Sequence, residues 1–342
     1  MKVLFTLGVY QEDRPERWAA KHSVFFALAN SLTNLGHEIL FYCNKNSVKS
    51  RFVTSKYKYY FEGEDIFSEV LVENSIQCVV VWGGRTDADD KLRRSCPENI
   101  KLIYAEAGWF PQAGTCYFSE FGTNANAQFL KEGLQNHHFN AASFARARRK
   151  VLGASIGYFR CLKLPSFYDV KKFDSTKPIF LPLQDEGDTN IVLSSPVKSM
   201  ALFISKFAEQ YPQVSFIARP HPRASYSSLP AHDNVTYQSS DVDPYTNFDH
   251  YGGVIGINST MLLQYALLGL PVAGVGKGVA TGSGAYFDLE YDQLPSQLDD
   301  IVYDVHSSAK FFDYMLRNKQ LAVRKLMNTR YVSKSYLMGM FE

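Results

Sequence analysis

Residues 252–276 read GGVIGINSTMLLQYALLGLPVAGVG. The apolar run GGVIGIN has the length and Val/Ile character of a buried strand. It stops at Asn258, Ser259 and Thr260, any of which can cap a helix. STMLLQYALLG continues as that helix, and Gly269 and Pro271 mark its end. LPVAGVG resumes as a strand. Strand, helix and strand in this order form a unit that builds parallel sheets with right-handed crossovers.

The same alternation extends outward in both directions. PIFLPL (178–183) and VSFIARP (214–220) read as strands on either side of a helix over Val197–Tyr211. In the first half, Val3–Leu7, HEILFYC (37–43), QCVVVW (77–82) and KLIYAE (101–106) read as strands. Helices are expected over His22–Leu35, stopped by Gly36, and over Asp65–Asn74. FARARRKVLG (144–153) carries Arg146, Arg148, Arg149 and Lys150 and is expected to be a helix joining the halves. Such a basic face is either simply solvated or a weak docking surface for anionic lipid or an acidic polymer. Ser307–Glu342 has a helical pattern. The expectation is an α/β chain of two Rossmann-like domains with mostly parallel sheets facing across a cleft. The domains expected are 1–170 and 171–320, with a C-terminal helix over 321–342 packing back across them.

Composition bounds the chemistry. The 342 residues are 46% hydrophobic and 20% charged, a globular profile, and the formal charge of +2 lacks the basic excess of a nucleic-acid binder. Cys43, Cys78, Cys96, Cys116 and Cys161 form no CxxC pair, which fits a reducing cytosol and no structural zinc. The opening MKVLFTL is too short an apolar run for a signal peptide, and no segment reaches the roughly 18 apolar residues of a membrane span. A cytoplasmic protein is expected.

Ligands of parallel sheets bind beyond the carboxyl ends of the strands, and the unusual residues follow the expected strands. Arg219-Pro220-His221-Pro222 ends one of them. Proline fixes φ and restricts the residue before it, so the corner is stiff. It either presents His221 and Arg219 to a phosphate or ribose, or is a plain rigid turn. Asn258, Ser259 and Thr260 open a helix whose free N–H groups suit a phosphate, although nearly every helix carries a cap. Gln184 precedes Asp185, Glu186 and Asp188 in LPLQDEGDTNIV (181–192). These acids are a nucleophile or base, a loose metal motif at Glu186 and Asp188, or solubilising loop charges. GVGKGVATGSG (274–284) matches no nucleotide fingerprint, yet Lys277 can meet an anionic group. In the first half, AEAGWFPQ offers Glu106 with Trp109, an indole that serves a sugar face or the core equally well. VWGGRTD offers Arg85.

Together these segments resemble the β-Kdo transferases of bacterial capsule and O-antigen assembly (Kdo is 3-deoxy-D-manno-oct-2-ulosonic acid). The matching elements are Gln184-x-x-x-Asp188, Arg219-Pro-His-Pro222, the helix from Ser259 to Pro271, Gly276-Lys277, and Glu106, Gly108 and Trp109 in the first half. Gln264 stands where a glutamate is familiar in that family. The resemblance implies a GT-B fold, CMP-β-Kdo as donor, no permanently bound cofactor or required metal, and retention of configuration. It implies Asp188 as the nucleophile of a double displacement and Glu106 as base. Gln184, Arg219, His221, Pro222, Asn258, Ser259, Thr260 and Lys277 are expected to hold the donor and Trp109 the acceptor, and Arg85, outside the matching motifs, is a further expected acceptor contact. The partners implied are a nucleotide sugar and a surface-glycan acceptor, which could be lipid-linked at the inner face of the inner membrane, with peripheral membrane or assembly-complex association. The alternatives are a GT-B transferase using UDP-, GDP- or another CMP-sugar, and a non-catalytic glycan-binding assembly protein.

Overall fold

The computed structural model describes residues 1–342 except 49, 156–166, 169–171, 246–247 and 303. Cys161 and the expected domain boundary at 170–171 lie outside the described residues. The chain divides into two units, Met1–Thr123 with Asn318–Glu342, and Asn124–Arg317.

The first unit begins with β1 (Lys2–Leu7), α1 (Pro15–Asn34), β2 (Glu38–Cys43), β3 (Lys58–Phe61), α2 (Phe67–Glu73), β4 (Cys78–Trp82), α3 (Asp87–Arg94), β5 (Lys101–Ala107) and β6 (Thr115–Ser119). The second contains α4 (Ala141–Ser155), β7 (Ile179–Pro182), α5 (Thr189–Ser194), α6 (Met200–Gln210), β8 (Phe216–Arg219), β9 (Val235–Tyr237), β10 (Gly253–Ile257), α7 (Thr260–Leu268), β11 (Val272–Val275), β12 (Phe287–Leu289) and α8 (Val305–Tyr314). The chain then returns to the first unit with β13 (Leu321–Ala322) and α9 (Thr329–Ser333).

The first sheet has the order β13-β6-β5-β4-β1-β2-β3. β1 to β5 pair in parallel, while β6 and β13 are antiparallel additions at one edge. Strand alternation sends Val3, Phe5 and Leu7 toward Phe25, Leu28 and Leu32 of α1, and Leu4 toward Phe67, Val70 and Leu71 of α2. Helices therefore cover both faces. α1 starts a good two turns before the expected His22, with Pro15 in its first turn, where its missing N–H has no helical partner to lose. The end of the chain is helical in pieces rather than in one run, and Ser31 Oγ holds it to α1 by donating to Leu326 O at 2.6 Å.

The second sheet has the order β12-β11-β10-β7-β8-β9, with every neighbouring pair parallel. Counted within this unit from the β9 edge, the strands run 3-2-1-4-5-6, the doubly wound order of dinucleotide-binding sheets. Phe203, Ile204 and Phe207 of α6 pack with Leu181, Ala218, Ile255 and Val275. Beyond them, the Phe180 ring stacks on Tyr251 at 4.7 Å and meets Tyr265 of α7. α7 is buried almost all round, as a helix this apolar must be.

The basic stretch lies on α4, in the second unit. Arg148 is buried and donates from Nε to Leu267 O and from Nη2 to Leu268 O, both at 2.7 Å, satisfying carbonyls at the end of α7. Arg146, Arg149 and Lys150 are exposed. Arg148 is therefore neither part of a solvated face nor available to an anionic surface. Among the described residues no helix is long and apolar enough to cross a membrane.

Candidate active site

In a doubly wound sheet the binding crevice lies at the carboxyl ends of the strands where the strand order reverses. In the second unit that point lies between β7 and β10. Gln184 follows β7 and Asn258 follows β10, and Gln184 Nε2 donates to Asn258 Oδ1 at 3.4 Å. Asn258 Nδ2 donates to Asn190 O and to Lys277 O, each at 3.1 Å. One side chain thus ties the loops that follow β7, β10 and β11. Asn258 has φ 32°, a left-handed conformation that asparagine tolerates better than most residues. Gly276 has φ 77°, and a Cβ there would stand 2.9 Å from Ser194 O. Without one, Lys277 N reaches Ser194 O at 2.8 Å.

Ser259, in extended backbone, is the cap of α7, and its hydroxyl accepts from Met261 N at 3.2 Å. Thr260 is the first helical residue. Asn258, expected as a possible cap or ligand contact, instead spends its amide on the three loops. Asp188 caps α5 by accepting from Asn190 N at 2.7 Å, and it is exposed. Glu186 Oε1 accepts from Met200 N at 2.6 Å, at the start of α6, so this acid has a structural task. Among the described residues no cluster of His, Cys, Asp or Glu is placed to hold a metal ion.

The proline corner follows β8. Arg219 is only 8% exposed, and its Nη2 donates to Ser240 O at 2.7 Å and Val242 O at 3.2 Å. It braces the loop after β9, and its Nε is buried without a hydrogen bond. His221 N donates to Tyr226 OH at 3.1 Å, and that hydroxyl donates to Gln184 O at 2.9 Å. Tyr226, which the sequence did not single out, therefore ties the His221 corner to the Asp188 loop. Arg223 N donates to His221 Nδ1 at 3.3 Å, which leaves the ring proton on Nε2. Burial lowers the His221 pKa, and the Arg223 charge adds to this against Asp185 and Asp188. At neutral pH His221 is a neutral Nε2–H donor. Pro222 is exposed beside it. Lys277 is exposed, and among the described residues its Nζ has neither an ion pair nor a hydrogen bond.

In the first unit the strand order reverses between β1 and β4. Gly83, just after β4, has φ 74°, and a Cβ there would lie 3.6 Å from Glu106 Oε2 and 3.8 Å from Asp89 Oδ2. Glu106, on β5, also accepts from Ala107 N at 2.9 Å. Asp89 is the residue the sequence reading missed. It is 3% exposed and accepts from Thr86 Oγ1 at 2.7 Å. Burial pushes its carboxyl up to about 6, against the Thr86 bond and the Lys21 charge. The signal was present: Thr86-x-x-Asp89 directly after an apolar strand is a helix-start pattern that places Asp89 over the strand end. Arg85 is half-buried in the same loop. Trp109 is 3% exposed and stacks on Tyr117 with ring centres 4.4 Å apart. Trp109 N and Phe110 N both donate to Gln320 Oε1, at 2.9 and 2.8 Å. Trp109 is a core anchor, and the expected contact with an acceptor sugar has no exposed indole face to use.

Both units carry a mostly parallel sheet whose strand order reverses at its centre. The fold is GT-B-like. Among solved structures it is similar to a KpsC β-Kdo 2,7 transferase of Thermosulfurimonas dismutans, with 17% identity and a TM-score of 0.59, covering 96% of this chain and 99% of that one. It is also similar to a KpsC β-Kdo 2,4 transferase of the same organism, with 15% identity and a TM-score of 0.50, covering 75% of this chain and 83% of that one. At these identities the likeness is one of fold. No protein-family model and no curated protein matches the chain.

Proposed function

We propose that the chain is a retaining glycosyltransferase that moves Kdo from CMP-β-Kdo to a bacterial surface-glycan acceptor, by double displacement through Asp188. The observation that carries this reading is the convergence at one sheet edge of the Asp188 loop, the His221 corner and the α7 start, joined by Asn258 and Tyr226. The order of these motifs matches the β-Kdo transferase pattern in the sequence, and the likeness in fold supports it.

In this proposal His221 Nε2–H donates to the nucleotide, and the N–H groups at Ser259 and Thr260 take the phosphate. Asp188 attacks the anomeric carbon, the bond to the phosphate oxygen breaks, and CMP leaves. An acceptor hydroxyl, giving its proton to a base, then displaces Asp188 from the sugar. Two inversions retain configuration. The route assigns no step to a metal. A lipid-linked acceptor at the cytoplasmic face of the inner membrane is part of the proposal.

A panel of nucleotides tests the donor class by thermal shift. CMP should stabilise the chain more than UDP or GDP. His221→Ala should weaken CMP binding by about 10-fold, the worth of one hydrogen bond. Preferential stabilisation by UDP or GDP overturns the CMP assignment in favour of another nucleotide-sugar donor.

A further inference from the structure

The first unit separates its charges between the two faces of its sheet. On one face, Phe25 and Leu28 of α1 share a core with Leu326, Val332 and Leu337, and Phe52 and Tyr57 pack on it from the loop after β2. Residues 22–34 of α1, 44–57 of that loop and 318–341 contain no Asp or Glu. Arg51 and Lys56 are exposed in the loop, and Arg324, Lys325, Arg330 and Lys334 in the last stretch. None of the six forms an ion pair among the described residues. Of the bordering acids, Asp13 is paired with Arg14 at 3.4 Å and Glu38 with Lys2 at 3.3 Å. Glu16 lies in the first turn of α1, and Glu342 follows the last stretch. The opposite face carries α2, with Glu69, Glu73 and no cation, and α3, whose Arg93 and Arg94 are spent on Asp90.

Two consecutive residues of α1 join the cationic segments. Lys56 Nζ donates to Asn30 Oδ1, and Ser31 Oγ donates to Leu326 O at 2.6 Å. Aromatic rings hold three of the cations in place: Arg51 over Phe52 at 5.1 Å, Lys56 over Phe26 at 5.8 Å and Lys325 over Tyr331 at 5.4 Å. Met327, between Lys325 and Arg330, is 61% exposed.

We infer that this face docks the chain on an anionic bilayer surface, with the cations at the lipid phosphates and Met327 at the start of the acyl chains. A negative bilayer surface raises affinity by about 5-fold for each Lys or Arg brought near it. A soluble polyanion uses the charges and gains nothing from Met327, whereas a bilayer uses both. The exposed cations of α4 have no such companion, since among its described residues α4 exposes no large apolar side chain. Docking needs neither donor nor acceptor, so this face stands or falls apart from the CMP-Kdo reading.

The test is co-sedimentation of the full chain with vesicles of equimolar phosphatidylglycerol and phosphatidylcholine, beside vesicles of phosphatidylcholine alone. The chain should partition onto the anionic vesicles and leave them as salt rises from about 0.1 to about 1 M. Arg324→Gln, Lys325→Gln and Arg330→Gln combined should weaken partition by about 100-fold. Arg146→Gln, Arg149→Gln and Lys150→Gln combined remove as many exposed charges from α4 and should change it by less than about 3-fold. Both triple variants should keep the parental melting temperature. Met327→Trp should gain a blue-shifted emission on anionic vesicles, quenched by brominated acyl chains. A parent chain that ignores anionic vesicles overturns the inference, and so does equal loss in the two triple variants, which makes binding a matter of net charge. An unmoved Met327→Trp spectrum on vesicles that still bind the chain overturns it as well, because a face that uses charge alone suits a soluble polyanion.

Discussion

Asn258→Ala should loosen the whole nucleotide edge of the second unit. The substitution removes two amide hydrogen bonds, to Asn190 O and Lys277 O at 3.1 Å, and a longer one from Gln184 at 3.4 Å. Each of the two shorter bonds contributes about 0.5–1.5 kcal/mol. Alanine must also hold φ 32°, which costs about 1–2 kcal/mol for a residue with a Cβ and no local hydrogen bond to offset it. The sum is about 2–5 kcal/mol. Asn258→Gly separates the contributions, because glycine loses the bonds but adopts the backbone freely, and it should cost about 1–2 kcal/mol less than alanine. Hydrogen exchange read by mass spectrometry on peptides covering 184–195 and 274–284 locates the effect, and urea unfolding by circular dichroism measures its size. All three tryptophans, Trp18, Trp82 and Trp109, lie in the first unit, so tryptophan fluorescence reports that unit separately. Exchange in both peptides should accelerate, and CMP binding should weaken. If Asn258→Ala stays within about 0.5 kcal/mol of the parent and neither peptide exchanges faster, Asn258 is not the bracket of these loops.

Two further outcomes follow from buried charges. The raised pKa of Asp89, about 6, means that the folded chain holds this proton more tightly than the unfolded chain does. Stability from Asp89 is present below the unfolded value of about 3.9 and is lost as pH rises through the folded value, by up to about 3 kcal/mol. Asp89→Asn should therefore raise the melting temperature relative to the parent at about pH 7.5 and give little gain at about pH 4, and an equal gain at both would contradict the buried-carboxyl reading. Arg148→Met removes two charge-assisted bonds to the end of α7, partly offset by relief of a buried charge, and should cost about 2–4 kcal/mol in urea unfolding. Arg149→Ala, at an exposed position of the same helix, should stay within about 0.5 kcal/mol.

The central strands of both sheets were legible because each is an apolar run bounded by Gly, Pro or a polar cluster, and such runs need no partner to be recognised. β9, β12 and β13 span three, three and two residues, too few for any periodicity, and they exist because a neighbouring strand offers them a ladder. α1 was read from its apolar face at His22, while its charged first turns carry no hydrophobic period. At the site, sequence spacing placed Asp188, His221, Ser259 and Lys277 after the right strands. It could not show which polar groups the fold consumes. Arg219 looked like a free cation until Ser240 and Val242 brought their carbonyls to it. Trp109 was open between sugar contact and core, and its stack on Tyr117 makes it core. Asp89 was overlooked because a carboxylate in an acidic helix start reads as solvated, and only the packing shows that this one is buried.

The most direct measurement is intact and peptide mass analysis of the chain incubated with CMP-Kdo in the absence of acceptor and quenched in acid. One Kdo residue should be attached to the peptide that contains Asp188, released as acceptor is added, and absent in Asp188→Ala, which should still bind CMP. CMP release and glycan extension with no adduct on that peptide, or wild-type turnover in Asp188→Ala, would contradict double displacement through Asp188.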